Sequence, residues 1–95
     1  MNTMDSNQTT EYIKALIEDN RLHEATDLLT QRINQNGADD EAYYLLGNIY
    51  RKQGNTRQAM YHYLCAAEIN ADSPAAEAYR VLLKIRNFIN PDYNP

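Results

Sequence analysis

The chain has 95 residues, 43% of them hydrophobic and 23% charged, with a formal net charge of −4. That length fits one domain with a modest core, and the acidic balance argues against a generic nucleic-acid or anionic-membrane binder. Cys65 is the only cysteine, which excludes an intramolecular disulfide and a thiolate metal cluster.

The opening, MNTMDSNQTT, is polar and aperiodic. Residues 1–8 read as a flexible lead-in. With no basic start followed by an apolar core, and no membrane-length apolar run anywhere, the expected location is cytoplasmic. A first helix is expected over about Thr10–Asp19, capped by Thr9 or Thr10, with Tyr12, Ile13, Leu16 and Ile17 as its apolar face. Asp19-Asn20 breaks the pattern. A second helix, about Leu22–Gln35, carries Leu22, Ala25, Leu28, Leu29 and Ile33 on one side, and Asn36-Gly37 supplies a C-cap signal.

The next stretch, DEAYYLLGNIYRKQGNTRQAMYHYLCAAEINA over 40–71, holds two more helical patterns joined at Gln53-Gly54-Asn55. Apolar residues at Tyr43, Leu46 and Tyr50, and at Ala59, Met60, Tyr63, Ala66 and Ala67, follow the spacing of amphipathic helices. Gly54-Asn55 tolerates positive φ and turns the chain. Gly47 is unfavourable in mid-helix by about 1 kcal/mol. A small residue there suits a close crossing by another helix backbone, with Ala59 and Ala66 as its small counterparts.

Tyr43-x2-Leu46-Gly47-x2-Tyr50, Ala59-x3-Tyr63 and Ala66 together resemble the tetratricopeptide repeat. Tyr43, Tyr63 and Ala71 stand where that pattern usually has Trp, Phe and Pro. The first helix pair is similar to a diverged copy, because Ala25 precedes Ala59 by 34 residues, Tyr12 falls opposite Leu46, Ile13 opposite Gly47, and Asn20 opposite Gly54. A fifth helix is expected from Pro74 to Asn87 or Ile89, with Tyr79 in the Trp-like place. Leu83 replaces the helix-crossing glycine, which suits a cap that solvates the end of the array. The resemblance therefore implies an all-α, right-handed antiparallel helix array, like small bacterial proteins of this kind. Its parts are a diverged first repeat over 9–37, a central repeat over 38–73, a capping helix over 74–89 and an extended tail over 90–95. The tail has an Asn-Phe…Asp-x-Tyr-Asn-Pro ending, similar to endings of other small bacterial helical proteins. Phe88, Ile89 and Tyr93 are anchor-type residues for docking such a tail.

In this family the first helices of successive pairs line a concave groove that holds an extended peptide or partner terminus. Carried over, that face comprises Tyr44, Asn48, Arg51 and Lys52 centrally, Thr10, Lys14 and Ile17 before them, and Glu77, Arg80, Lys84 and Asn87 after them. Lys14, Arg51, Lys52, Arg80 and Lys84 are five of the nine cationic residues, so the implied partner carries acidic side chains or a terminal carboxylate. The carboxylate clamp of chaperone-binding repeats is absent in its usual form: Thr10, Lys14, Leu45, Glu77 and Val81 occupy its places.

No Gly-rich phosphate loop occurs, and His23 and His62 lack a ligand-spaced carboxylate, so neither cofactor nor metal is expected. Asp39-Asp40-Glu41 is explained by helix capping. Helical-repeat RNA binding is disfavoured by the net charge. The expectation is a non-catalytic protein-interaction scaffold, the alternative a self-associating module in which the tail docks on a neighbouring subunit.

Overall fold

The computed structural model describes residues 9–89, and among these five α-helices are the only regular elements. They are α1 (Thr10–Glu18), α2 (Leu22–Gln35), α3 (Asp40–Lys52), α4 (Thr56–Ile69) and α5 (Ala75–Ile89). The lead-in at 1–8 and the tail at 90–95 lie outside the described residues. Each helix packs on the next along the chain, α3 against α4 most extensively, so the architecture is a row of antiparallel hairpins.

The ends of the helices show why the sequence folds into repeats. At the end of α1, Arg21 N donates to Leu16 O (2.8 Å) and Asn20 N to Ile17 O (3.0 Å), with Asn20 left-handed at φ 62°. At the end of α3 the same pair of bonds recurs 34 residues later: Asn55 N to Tyr50 O (2.8 Å) and Gly54 N to Arg51 O (3.0 Å), with Gly54 at φ 80°. This is the left-handed closure of a helix by its last carbonyls. Asparagine and glycine serve it because they accept positive φ most readily.

The second helices of the two pairs end differently from the sequence expectation. Asn36 (φ −148°, ψ 100°) and Asn70 (φ −142°, ψ 105°) leave α2 and α4 as extended residues. The side chain of each folds back onto the chain, Asn36 Oδ1 accepting from Ala38 N (3.1 Å) and Asn70 Oδ1 from Asp72 N (3.0 Å). Gly37 is therefore not a left-handed cap; a side-chain turn does that work. The starts are capped by Thr9, Asp39 and Asn55, whose oxygens accept from Tyr12 N, Ala42 N and Gln58 N. Ser73 does likewise for Ala75 N at 3.1 Å, so α5 begins one residue after Pro74.

The contrast between the two glycines is testable. Gly54→Ala is expected to lower stability by about 1 kcal/mol because alanine must adopt a left-handed φ. Gly37→Ala meets open space and an ordinary φ, so it should be neutral or raise stability by up to about 1 kcal/mol. Parallel urea melts of the two variants check the sign of each.

The core has two parts. Ile13, Leu16, Ala25, Leu29, Ala42, Leu45, Leu46 and Ile49 form the first. Ala59, Met60, Tyr63, Ala66, Ala75 and Leu82 form the second. Half-buried Tyr44 packs against both and joins them. Tyr12, expected on the apolar face of α1, is 41% exposed, because Ile13 and Leu16 alone supply that helix's fully buried contacts. Gly47 is buried as expected, but it faces the ring of Tyr63 rather than a crossing backbone.

Candidate binding surface

Where α3 and α5 begin, the array forms an open cavity of about 530 Å³. Lys14 of α1, Tyr44 and Leu45 of α3, and Asn70, Asp72, Ser73 and Pro74 of the α4–α5 connection line it, together with Arg32 and the acidic run Asp39-Asp40-Glu41. Of the residues expected in a groove, the structure brings Lys14 and Tyr44 together here. Tyr44 reaches the cavity from between the two halves of the core, its ring tilted at 37° to that of Tyr63 with centroids 5.9 Å apart.

One wall is built on a buried guanidinium. Arg32 lies on the stripe of α2 that also carries Ala25 and Leu29, and only 8% of it is exposed. Its Nε and Nη2 donate to the two oxygens of Asp39 (2.9 and 3.0 Å), Nη2 also to Glu41 (3.2 Å), and Nη1 to Thr10 (3.1 Å). Thr10 in turn donates a short hydrogen bond to Glu41. Burial opposes the charge on Arg32, but the hydrogen bonds and attraction of Asp39 and Glu41 outweigh it and hold the pKa above the ordinary arginine value. Asp39 thus caps α3 and anchors α2 at once. Thr10, expected on the groove face, belongs to this α1–α2–α3 lock. The sequence signal for it was an arginine at i+7 from Ala25 and i+3 from Leu29, squarely on an apolar stripe.

The remaining expected residues lie further along α3 and α5. Asn48 is half-buried, and its carbonyl accepts from the Tyr63 hydroxyl at 2.5 Å, which leaves its amide nitrogen as the group turned to other work. Arg51 and Lys52 are exposed in the last turn of α3. Arg80 is paired with Glu77 of its own helix at 2.7 Å, and Lys84 is exposed on α5. Phe88, an expected tail anchor, is 84% exposed within α5. Ile89 is the last residue of that helix, and Tyr93 lies outside the described residues.

Tyr63 is fully buried, and burial pushes its phenol above the usual tyrosine value, a shift that Arg51 beside the hydroxyl reduces in part. A raised folded-state pKa means that the unfolded chain loses its proton first as pH climbs. Stability is then unaffected by this group below about 10 and falls with alkalinity above it. Thermal melts across the alkaline range should show that fall in the native chain and a shallower one in Tyr63→Phe.

The histidines correct the sequence reading in part. His23 does have a carboxylate at helical spacing, Asp27 at 3.7 Å, but both side chains are largely exposed and the pair is worth little. His62 is half-buried. It stacks on Tyr50 (centroids 5.0 Å), meets Tyr61 edge-on at 5.1 Å and bonds through Nδ1 to the Gln58 carbonyl. Among the described residues no cluster of three or more His, Cys, Asp or Glu side chains is placed to hold a metal ion. No described helix is long and apolar enough to cross a membrane.

Helix pairs with recurring caps, stacked in a row around small residues, define a helical-repeat protein. The tetratricopeptide repeat pattern matches residues 40–73. The chain is also similar to the solution NMR structure of the Bacteroides fragilis protein BF1650, with 40% identity and a TM-score of 0.81, over 96% of this chain and 91% of that one. It belongs to the tetratricopeptide repeat family. No curated protein matches it significantly. The repeat marks a protein–protein interaction module of a generally non-catalytic family.

Proposed function

We propose that this protein is a non-catalytic scaffold that holds an extended peptide, or the terminus of a partner, along its first-helix face. The observation that carries the reading is the cavity at the start of α3, into which Lys14 and Tyr44 project from neighbouring repeats. An extended strand laid across it meets an aromatic ring, a side-chain amide at Asn48 and then the exposed charges of Arg51 and Lys52, with Lys84 on the capping helix. Acidic side chains of the partner would sit on those cations. Asn48 would donate to its backbone.

The test is a displayed library of random short peptides, selected against the whole chain. Peptides that bind in this groove should lose at least about tenfold in affinity to Lys14→Glu and to Arg51→Glu, read by fluorescence anisotropy, and nothing to Tyr61→Ala on the outer face of α4. Both charges are exposed, and because Arg51 also lies beside the Tyr63 hydroxyl, circular dichroism of Arg51→Glu checks that the variant is folded. Peptides that ignore both reversals would sink the reading.

A second reading, self-association through the C-terminal end, is favoured by the 45% exposure of Ile85 and the 84% exposure of Phe88. A lone helix that exposes a large aromatic ring can complete its packing on another copy. Light scattering should then find the native chain dimeric or larger and the Ile85→Asp, Phe88→Asp variant monomeric. Two monomers would dismiss it.

A further inference from the structure

The charges around the groove are not uniformly basic, as its cations alone suggest. Four carboxylates line the cavity, Asp39, Asp40, Glu41 and Asp72, against two cations, Lys14 and Arg32. Arg32 is committed to Asp39 and Glu41. Asp40 meets only the amide of Asn70, at 3.2 Å, and neither Asp40 nor Asp72 has an ion pair among the described residues. These two come from different elements, the first turn of α3 and the loop before α5, and they face the same space. At the other end of α3 stand Arg51 and Lys52.

Resting on the groove reading above, we infer that the bound peptide is dipolar and has one orientation: a cationic group, a Lys or Arg side chain or a free amino terminus, enters the cavity against Asp40 and Asp72, and an acidic residue meets Arg51 and Lys52. The helix sets the spacing. Asp40 and Lys52 are separated by twelve residues of α3, roughly 18 Å at the helical rise. An extended peptide covers that in roughly five or six residues. Tyr44 and Asn48 lie between the two ends, on successive turns, where they contact the intervening backbone. Reversing the peptide would put an acid against two carboxylates and a cation against Arg51, so like-charge repulsion at both ends rejects that direction. Lys14, on the α1 wall, accepts a carboxylate of the same peptide only if its chain continues past the cavity.

Two synthetic peptides of identical composition test this, each with one arginine and one glutamate separated by five residues, in the two sequence orders and with both termini blocked. A selected groove binder fixes the intervening residues. One order should bind at least about tenfold more tightly than the other. Asp40→Asn with Asp72→Asn should erase the contribution of the arginine while the glutamate's contribution survives, and Arg51→Glu with Lys52→Glu should do the converse. Equal binding of the two orders, both still dependent on Asn48 and Tyr44, would overturn the polarity and leave the groove reading standing. Binding that ignores Asn48 and Tyr44 would overturn both. Circular dichroism of the asparagine pair, which is isosteric with the native residues, shows whether the variant is folded.

Discussion

Replacing Arg32 with alanine is expected to destabilise the fold by about 3 to 5 kcal/mol, a large share of what a domain of this size possesses. The guanidinium ties three helices through Thr10, Asp39 and Glu41, and removing it leaves Asp39, whose side chain is only 14% exposed, without its cation. The loss comes from that uncompensated carboxylate more than from the missing attraction, because assembling the pair required desolvating both charges. Arg32→Lys keeps the charge but cannot span both oxygens of Asp39 and reach Thr10 together, so an intermediate loss of about 2 kcal/mol is expected. Denaturant melts at low and high salt separate this lock from the surface pairs. The Arg32 effect should change little with salt, whereas the exposed Arg21–Glu24 pair (2.6 Å) should contribute little and fade as salt rises. Arg32→Ala in combination with Asp39→Asn is the informative control. If it restores most of the stability, the loss was electrostatic; if not, the long arginine stem was filling space between α1 and α3.

Much of this architecture was legible before any coordinates, for physical reasons that can be traced residue by residue. Helix ends are written locally: Thr9, Asp39 and Asn55 each lie just before an apolar period, and Asn20 and Gly54 each lie where a positive φ closes a helix. The spacing of Ala25 and Ala59 exposed the repeat, because small residues at helix contacts leave a mark that does not depend on the rest of the structure. What the sequence hid were choices made by neighbours. Asn36-Gly37 offers two ways to end a helix, and the Asn36 side chain wins because it satisfies Ala38 N while its own backbone stays extended. Tyr12 and Ile13 are equally apolar by pattern, yet α1 packs chiefly on α2 and α3, and Ile13 takes the covered side while Tyr12 is left 41% exposed. Asn48 reads as a groove residue, and its oxygen is claimed from within by a tyrosine standing where the family usually has phenylalanine. The extra hydroxyl of a buried tyrosine needs a partner, and that requirement was the available clue. The cavity at the start of α3 was not legible, since part of its wall, including Asp72, comes from the loop before α5, which no helical period describes.

That same tyrosine sets up the second large effect. Gly47→Val is expected to destabilise by about 3 kcal/mol, at the upper end of what overpacking does. A Cβ built on Gly47 collides with the ring carbons of Tyr63. Such a collision is cheap when a flexible side chain can swing aside, but this ring is fully buried, tethered by its hydroxyl to Asn48 and packed against Tyr44. Alanine at the same position gains about 1 kcal/mol of helix propensity over glycine, so Gly47→Ala should lose only about half as much as valine does. Two opposed contributions of similar size make this a sensitive probe, and a second substitution decides between them. Tyr63→Leu alone leaves a cavity and should cost about 2 to 3 kcal/mol. Combined with Gly47→Ala, the shorter side chain vacates the space that the new methyl occupies, and the two losses should fall short of additivity by 1 kcal/mol or more, in the range measured for residues in contact. Additive losses would mean that the ring is not what the methyl meets, and that the glycine is held by a demand of the α3 backbone instead. The double variant also bears on binding. Asn48 then lacks its internal donor, its carbonyl turns free to accept from a ligand, and Tyr44 loses the ring it leans on. A change in peptide affinity in that variant, beyond its change in stability, would place the core of the second repeat in direct communication with the groove.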